Sequence, residues 1–134
     1  MENSLRCLTA LTRMKLRALL NVTLNAGGNW AIDFSAIEGL TLNIIQKGDC
    51  WLSIDGYDEQ LYLRTGDCFL LTGGRNFTLA TDLSLKKRIL PEQLFSNMEN
   101  GVIEWQGGGD VIIVATIFRF EGHLPQVMFG RLPP

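Results

Sequence analysis

The 134-residue chain contains one histidine, His123, and three cysteines. Transition-metal sites in proteins are built largely from imidazole and thiolate ligands, and the cysteines here do not have the spacing of a metal motif. A single histidine without a catalytic partner in view also argues against histidine-based acid–base chemistry. We expect His123 to lie on the surface or at the end of a strand.

Long apolar runs and clustered positive charge are scarce as well. No run approaches the roughly 18 apolar residues of a membrane span, and charged residues such as Glu2, Arg6 and Arg13 interrupt the N-terminus, which is untypical of a signal peptide. The net charge is −2, and only Lys86-Lys87-Arg88 form a basic cluster. Because duplex binding depends largely on phosphate neutralisation, we do not expect this chain to bind nucleic acid directly.

Sequence motifs for covalent catalysis and phosphate binding are lacking. No nucleophile-elbow motif or phosphate-binding loop occurs, so we interpret Gly73-Gly74 and Gly107-Gly108-Gly109 as chain reversals. Cys50 and Cys68 fall in predicted strands, and we interpret both as small buried side chains in a reducing compartment. A redox-active thiol at either position is the alternative.

The chain does contain a strong strand pattern between Gly48 and Thr72. Apolar and polar residues alternate from Cys50 to Asp55 and from Leu61 to Arg64, which predicts two strands. A more apolar run from Cys68 to Leu71 predicts a third. A glycine lies at each turn between them. Two hairpins in succession would form a β-meander, which is typical of a barrel or sandwich.

The remaining segments fit a single domain built mainly of strands. The pattern predicts an N-terminal helical segment over residues 1–18, a barrel over 19–120 and an exit segment over 121–134. Residues 82–106 are longer than a usual connection, with a helical turn predicted at Pro91 to Phe95. This segment is either a lid over a binding site or a surface loop. Further strands are predicted at Leu19 to Leu24, Trp30 to Phe34, Leu40 to Gln46, from Phe77, and at Val111 to Phe120.

The stretch around the two turns, together with its flanks, resembles a known family. The matching stretches are Ile54-Asp55-Gly56, Leu63-Arg64-Thr65-Gly66-Asp67-Cys68, Trp30-Ala31-Ile32-Asp33-Phe34, Gly107-Gly108-Gly109 and Ile117-Phe118-Arg119-Phe120. They are similar to the double-stranded β-helix core of the cupin superfamily. More narrowly, residues 16–134 resemble the cupin-like N-terminal domain of AraC-type transcriptional regulators. The resemblance implies a mainly β, jelly-roll barrel with short N- and C-terminal helices.

The resemblance also identifies where a metal would be bound. Metal-binding cupins resemble one another in two histidines and a glutamate near one strand and a further histidine after the second turn. In this sequence those positions lie near Ser35, Ile37, Thr41 and Phe77, and none is a histidine or a carboxylate. The resemblance therefore implies a barrel with no metal, no cofactor and no catalytic residue.

A small molecule would bind on the inner face of such a barrel, since small barrels either fill with side chains or hold one ligand. We expect Thr41, Asn43 and Phe77 to point inward, with Trp51 and Arg119 as weaker ligand-binding candidates. Asn43 is informative because a buried amide is costly unless it is hydrogen-bonded. It either orients a ligand or satisfies a neighbouring backbone group. Core packing is the alternative for Trp51, and an outward position is the alternative for Arg119.

Functions from different classes fit these residues. The resemblance implies the effector-sensing and dimerising domain of a cytoplasmic regulator. We expect a homodimer that contacts DNA only through a C-terminal helix-turn-helix domain outside this chain. We expect no membrane partner. The alternative is a stand-alone metal-free cupin enzyme of isomerase or lyase type, for which Asp33 is the one inward acid, or a small-molecule-binding protein. A third possibility is a ligand-free barrel that only dimerises.

Overall fold

Two β-sheets make up the described part of the chain. The structure, a computed structural model, describes residues 16–35, 40–72 and 75–120. The elements in these residues are β1 Leu16–Ala26, β2 Ala31–Phe34, β3 Leu40–Lys47, β4 Asp49–Ile54, β5 Gln60–Arg64, β6 Cys68–Thr72, β7 Phe77–Ala80, α1 Pro91–Phe95, β8 Met98–Glu99, β9 Val102–Trp105 and β10 Val111–Phe120. The larger sheet has the order β6-β3-β10-β1-β9-β8, and the smaller one has the order β2-β7-β4-β5.

Strand β10 lies inside the larger sheet, between β1 and β3, and pairs antiparallel with both. It is the longest apolar run in the sequence and is rich in β-branched residues, which favour strands covered by other elements. Val111 and Ile113 are buried. The predicted core strand from Val111 to Phe120 is confirmed.

One apolar cluster joins the two sheets. It includes Ile45 of β3 and Ile103 of β9 from the larger sheet, and Leu52 of β4 from the smaller one. These three side chains are 0–1% exposed. Burial of one such side chain is worth about 1.5–3 kcal/mol, so the shared cluster is the main force that holds the sheets together.

The second of the two predicted hairpins does not form. Strands β4 and β5 pair as predicted, but β6 pairs with β3 in the other sheet. At the turn that precedes β6, the Gly66 amide donates to the Ile45 carbonyl at 2.8 Å. The reason is burial: Phe69 and Leu70 are both buried although they point to opposite faces, whereas Leu63 is the one buried residue of β5. A strand that is apolar on both faces needs a sheet that is covered on both.

The first strand is longer than predicted. β1 begins at Leu16, so residues 16–18 are extended rather than helical and pair with Phe118, Arg119 and Phe120 of β10. The ladder with β10 decides the conformation here, because it satisfies the backbone of both strands. Residues 1–15 and 121–134, with the expected terminal helices and His123, lie outside the described residues.

The segment from 82 to 106 is structured and joins both sheets. The Ile89 amide donates to the Ala31 carbonyl of β2 at 2.7 Å, and β9 adds to the larger sheet as a parallel neighbour of β1. Between them lies α1, which confirms the predicted helical turn. Pro91 is at its start, where the missing N–H costs nothing, and the Gln93 side chain accepts from the Leu90 amide at 3.0 Å.

Polar contacts close one end of the barrel. The Asp110 carboxylate accepts a hydrogen bond from the Gly28 amide at 2.8 Å, and the Lys47 ammonium donates to the Gly109 carbonyl at 2.6 Å. The Gln106 side chain donates to the carbonyls of both neighbours of Gly28, again at 2.8 Å. The predicted chain reversal at 107–109 is confirmed, since all three glycines have positive φ. We call residues 25–29, 47–48 and 106–110 the closed end.

Candidate functional site

The opposite end of the barrel contains a cavity of about 410 Å³ between the two sheets and α1. Leu20, which is 37% exposed, lies at its mouth, and we call this side the open end. The walls come from strands of both sheets and from the helix. They are formed by Leu20, Val22, Leu24, Phe34, Ser35, Thr41, Asn43, Phe77, Leu79, Pro91, Glu92, Leu94, Phe95, Ile103, Ile113, Ala115 and Ile117.

Strand register in the larger sheet sets the depth of each lining residue. Leu20 pairs with Ile117, which pairs with Thr41, so these three form a row near the mouth. Alternation of side chains along each strand then places the next inward row two residues further on. That row contains Val22, Ala115 and Asn43. Ala115 is small, and the space above its methyl group is part of the cavity.

The third inward row forms the floor of the cavity. Leu24 pairs with Ile113, and Ile113 pairs with Ile45. Ile45 is 0% exposed and belongs to the apolar cluster rather than to the lining. The barrel is therefore filled with side chains towards the closed end and hollow towards the open end.

Asn43 is the polar group deepest in the wall. It is 4% exposed, and its Nδ2 has no hydrogen-bond partner in the described part of the protein. A buried donor left unpaired costs about 1–3 kcal/mol. Thr41, two residues earlier on the same face, is also buried. Both lie on the inner face, where the family resemblance placed Thr41 and where the alternation in β3 puts Asn43 beside it.

Phe77 belongs to an aromatic wall opposite β3. Its ring stacks on that of Phe34, with centroids 4.7 Å apart and an angle of 13° between the planes. The Phe69 ring meets Phe77 edge-on at 6.4 Å. Such pairs are worth about 0.5–1.5 kcal/mol beyond burial, so the wall is preformed. The structure thus brings together Thr41, Asn43 and Phe77 from the predicted ligand-binding set.

Trp51 and Arg119 do not join this group. Trp51 lies on the outer face of β4, where its ring tilts against that of Tyr62 at 4.9 Å, and it does not line the cavity. The inner face of β4 is taken by Cys50 and Leu52, because neighbours along a strand alternate. The side chain of Arg119 lies outside the described part of the chain.

Sequence reasoning missed the helix and most of β10 as parts of the site. Pro91, Leu94 and Phe95 form one wall of the cavity, yet nothing local in the 82–106 segment indicates what it packs against. The inward position of Ala115 and Ile117 could have been predicted, since they alternate with Thr116 along a strand that was correctly predicted.

Asp33, the inward acid of the enzyme alternative, does not line the apolar cavity. It accepts hydrogen bonds from Thr78 Oγ1 at 2.7 Å and from Arg88 at 3.3 Å, and its side chain is 45% exposed. The expectation of an inward Asp33 is wrong, because Ile32 and Phe34 take the inner face of β2. Asp33 instead lines a neighbouring polar cleft of about 380 Å³, which shares Phe34 and Phe77 with the apolar cavity.

The surroundings of Cys50 disfavour thiol chemistry. Burial raises the pKa of the Cys50 thiol to about 12, and the nearby Asp49 carboxylate adds to the effect, so the thiol is protonated at neutral pH and unsuited to nucleophilic chemistry. Within residues 16–35, 40–72 and 75–120, no three His, Cys, Asp or Glu side chains are close enough to hold a metal ion. The helix described here is too short to cross a membrane.

Comparisons with known proteins agree with this architecture. A family model described as Cupin matches residues 9–134. A Streptomyces antibioticus protein named as an AraC-like transcription regulator is 38% identical over 127 residues, covering 92% of this chain and 41% of that protein. A similarly named Streptomyces lividans protein is 36% identical over 124 residues, covering 92% and 40%.

Among solved structures, a cupin protein from Bacteroides fragilis aligns with a TM-score of 0.43 and 16% identity, covering 78% of this chain and 66% of that one. The chain spans about two fifths of the length of the curated relatives it matches.

Proposed function

The chain belongs to the cupin family, and from this premise we propose that it is the small-molecule-sensing and dimerising domain of an AraC-type transcriptional regulator. The names of its relatives support the regulatory part of this proposal. DNA binding would reside in the additional length of the whole protein, and the cytoplasm is the compartment where such a regulator would act.

The observation that carries the proposal is the cavity with Asn43 in its wall. A barrel that served only as a scaffold would gain stability by filling this space, and an apolar side chain at position 43 would remove an unpaired donor. A cavity that remains unfilled and keeps the Asn43 amide in its wall is better suited to hold a ligand that pairs with that amide.

The cavity lining favours binding over turnover. Among the described lining residues, Glu92 is the one titratable side chain, and it is exposed at the start of α1. General acid–base catalysis needs a positioned proton donor or acceptor at the reacting atoms. The deeper part of the cavity offers an amide and a hydroxyl, which orient a ligand but do not exchange protons near neutral pH.

The arrangement suggests how binding would be transmitted. A ligand in the cavity contacts α1, and α1 is followed by β9, which pairs with β1. β1 in turn follows directly on the N-terminal residues. A ligand that favours one packing of α1 over another would shift the positions of the segments that lead to the dimer interface, in proportion to its differential affinity.

The proposal is tested with the full-length protein in its source cell. We expect Ala115→Phe, which fills the cavity, to change the transcripts that deletion of the gene changes, or to fix them in one state. Thr116→Phe, one residue further on the outer face of β10, is the matched control and leaves them unchanged. The proposal fails if a folded Ala115→Phe protein leaves every transcript as in the wild type. A chain that sediments as a monomer would overturn the dimer part alone.

A further inference from the structure

The cavity lining indicates the chemical class of the ligand. We propose that the cavity takes a mainly apolar, uncharged small molecule that presents one hydrogen-bond acceptor, such as a ketone oxygen, to Nδ2 of Asn43. This inference rests on the proposed function, because it concerns the ligand of the same site.

Charge in the lining argues against an anionic ligand. No lysine, arginine or histidine is among the described lining residues, and the one ionisable group, Glu92, is acidic. Desolvation of a carboxylate or phosphate is costly unless a cation or several donors replace its water. The described lining residues supply no cation, and their buried donors are limited to Thr41 and Asn43.

The scarcity of polar groups argues against a sugar. The lining side chains are aliphatic or aromatic except for Ser35, Thr41, Asn43 and Glu92, and Ser35 and Glu92 are exposed. Each hydroxyl of a sugar that enters an apolar cavity without a partner loses its hydrogen bonds to water. Two buried polar side chains do not satisfy the several hydroxyls of such a ligand.

The acceptor follows from the Asn43 amide. Its Nδ2 is buried, without a partner in the described part of the chain, and belongs to a residue that lines the cavity. An N–H donor pairs with an acceptor oxygen, which selects a carbonyl or ether over a hydrocarbon. The size of the cavity, about 410 Å³, lies in the range of ordinary small-molecule sites, about 300–1,000 Å³.

A set of probes that share two phenyl rings tests the proposal on the 134-residue chain. The probes are benzophenone, diphenylmethane and diphenylacetate, with glucose as a polar probe, and affinities are measured by ligand-observed NMR. We expect benzophenone to bind about two- to tenfold more tightly than diphenylmethane, the range that one net hydrogen bond supports. Diphenylacetate and glucose should bind more weakly than either.

Substitution of Asn43 assigns the preference to its amide. In Asn43→Leu, the preference for benzophenone over diphenylmethane should disappear while diphenylmethane still binds; Asn43→Val serves the same purpose if the leucine variant does not fold. Asn21→Leu is the matched control, because Asn21 lies on the outer face of the same sheet, where it accepts from Thr116 Oγ1 at 2.6 Å. A preference that survives in both Asn43 variants would overturn the role of this amide.

Two outcomes separate the ligand class from the proposed function. Tighter binding of diphenylacetate or glucose than of benzophenone overturns the ligand class and leaves the sensor intact. If no probe binds to the folded chain, the ligand class falls while the sensor stands, provided that Ala115→Phe alters transcripts in the full-length protein. If that variant also has no effect, both proposals fall.

Discussion

The two ends of the barrel are finished in opposite ways. At the closed end, backbone and side-chain polar groups of the loops 25–29 and 106–110 bond to one another across more than 75 residues of sequence. At the open end, apolar side chains of both sheets surround a cavity next to α1. The closed end fixes the register of the strands, and the open end keeps room for a ligand. The difference shows that one barrel can be tied by polar contacts at one end and contain a cavity at the other.

The largest loss of stability is expected at the closed end, in Gly48→Ala. Gly48 has φ of 82°, and an added Cβ would lie 2.4 Å from the Asp110 carbonyl oxygen. Positive φ and overpacking against backbone should together lower the free energy of unfolding by about 3–5 kcal/mol. Chemical denaturation measures this. Gly107→Ala is the control: φ is 80°, but no atom beyond its two chain neighbours lies within 4 Å of the new Cβ, so about 1 kcal/mol is expected. Equal losses would contradict the importance of the close approach.

At the open end, Leu94→Ala is expected to have the next largest effect. Leu94 is 2% exposed and belongs to the shared apolar cluster. Removing it should cost about 2–4 kcal/mol and undock α1 from the cavity wall. Hydrogen exchange should therefore increase first at α1, while the amides of the closed end keep their protection. Leu90→Ala, at an exposed position before the helix, serves as control. Uniform loss of protection would show that the two ends are not independent.

A smaller effect concerns Cys50, which follows the closed end in β4. The pKa of its thiol in the folded protein, about 12, lies above the ordinary value of 9.0. A raised pKa means that its contribution to stability is complete below pH 9 and is lost as the pH rises towards 12. At pH 10 the loss should be about 1–2 kcal/mol. Urea denaturation at pH 8 and pH 10, compared between the wild type and Cys50→Val, isolates it. An identical pH dependence in both proteins would refute the assignment.

The smallest expected change is a gain in stability, in Asn43→Leu at the open end. Because the buried Nδ2 lacks a partner in the described chain, an apolar side chain of similar size should raise the free energy of unfolding by about 1 kcal/mol. Thermal unfolding without added ligand measures it. Asn21→Leu, which removes a bonded amide from the outer face, should give no gain. A destabilised Asn43→Leu would mean that the amide already has a structural partner.

Prediction from the sequence was most successful where one strand carried the information. The alternation in β3 placed Thr41 and Asn43 on one face, which the family resemblance identified as the inner one. The apolar run from Val111 to Phe120 correctly marked a core strand. The prediction failed for the pairing of strands across the fold. β6 was expected beside β5, its neighbour in sequence, but its two apolar faces favour β3 in the covered sheet.

The candidate site was predicted in part for the same reason. Phe77 was expected inward because it aligned with a position of the family pattern, and it lies in the aromatic wall. Trp51 was a weaker ligand-binding candidate with core packing as its alternative, and it lies on the outer face of β4 against Tyr62. Asp33 was assigned inward although its own neighbours, Ile32 and Phe34, alternate with it.

The sequence alone determined the strand-rich fold and the glycine turns, because these depend on residue types and on periodicity within single segments. Only the tertiary structure decided which strands pair, that α1 walls the cavity and that Asn43 lines it with a buried Nδ2 that has no partner among the described residues. Those features arise from contacts between residues far apart in the chain. Their energies depend on which apolar faces meet, and no single segment contains that information.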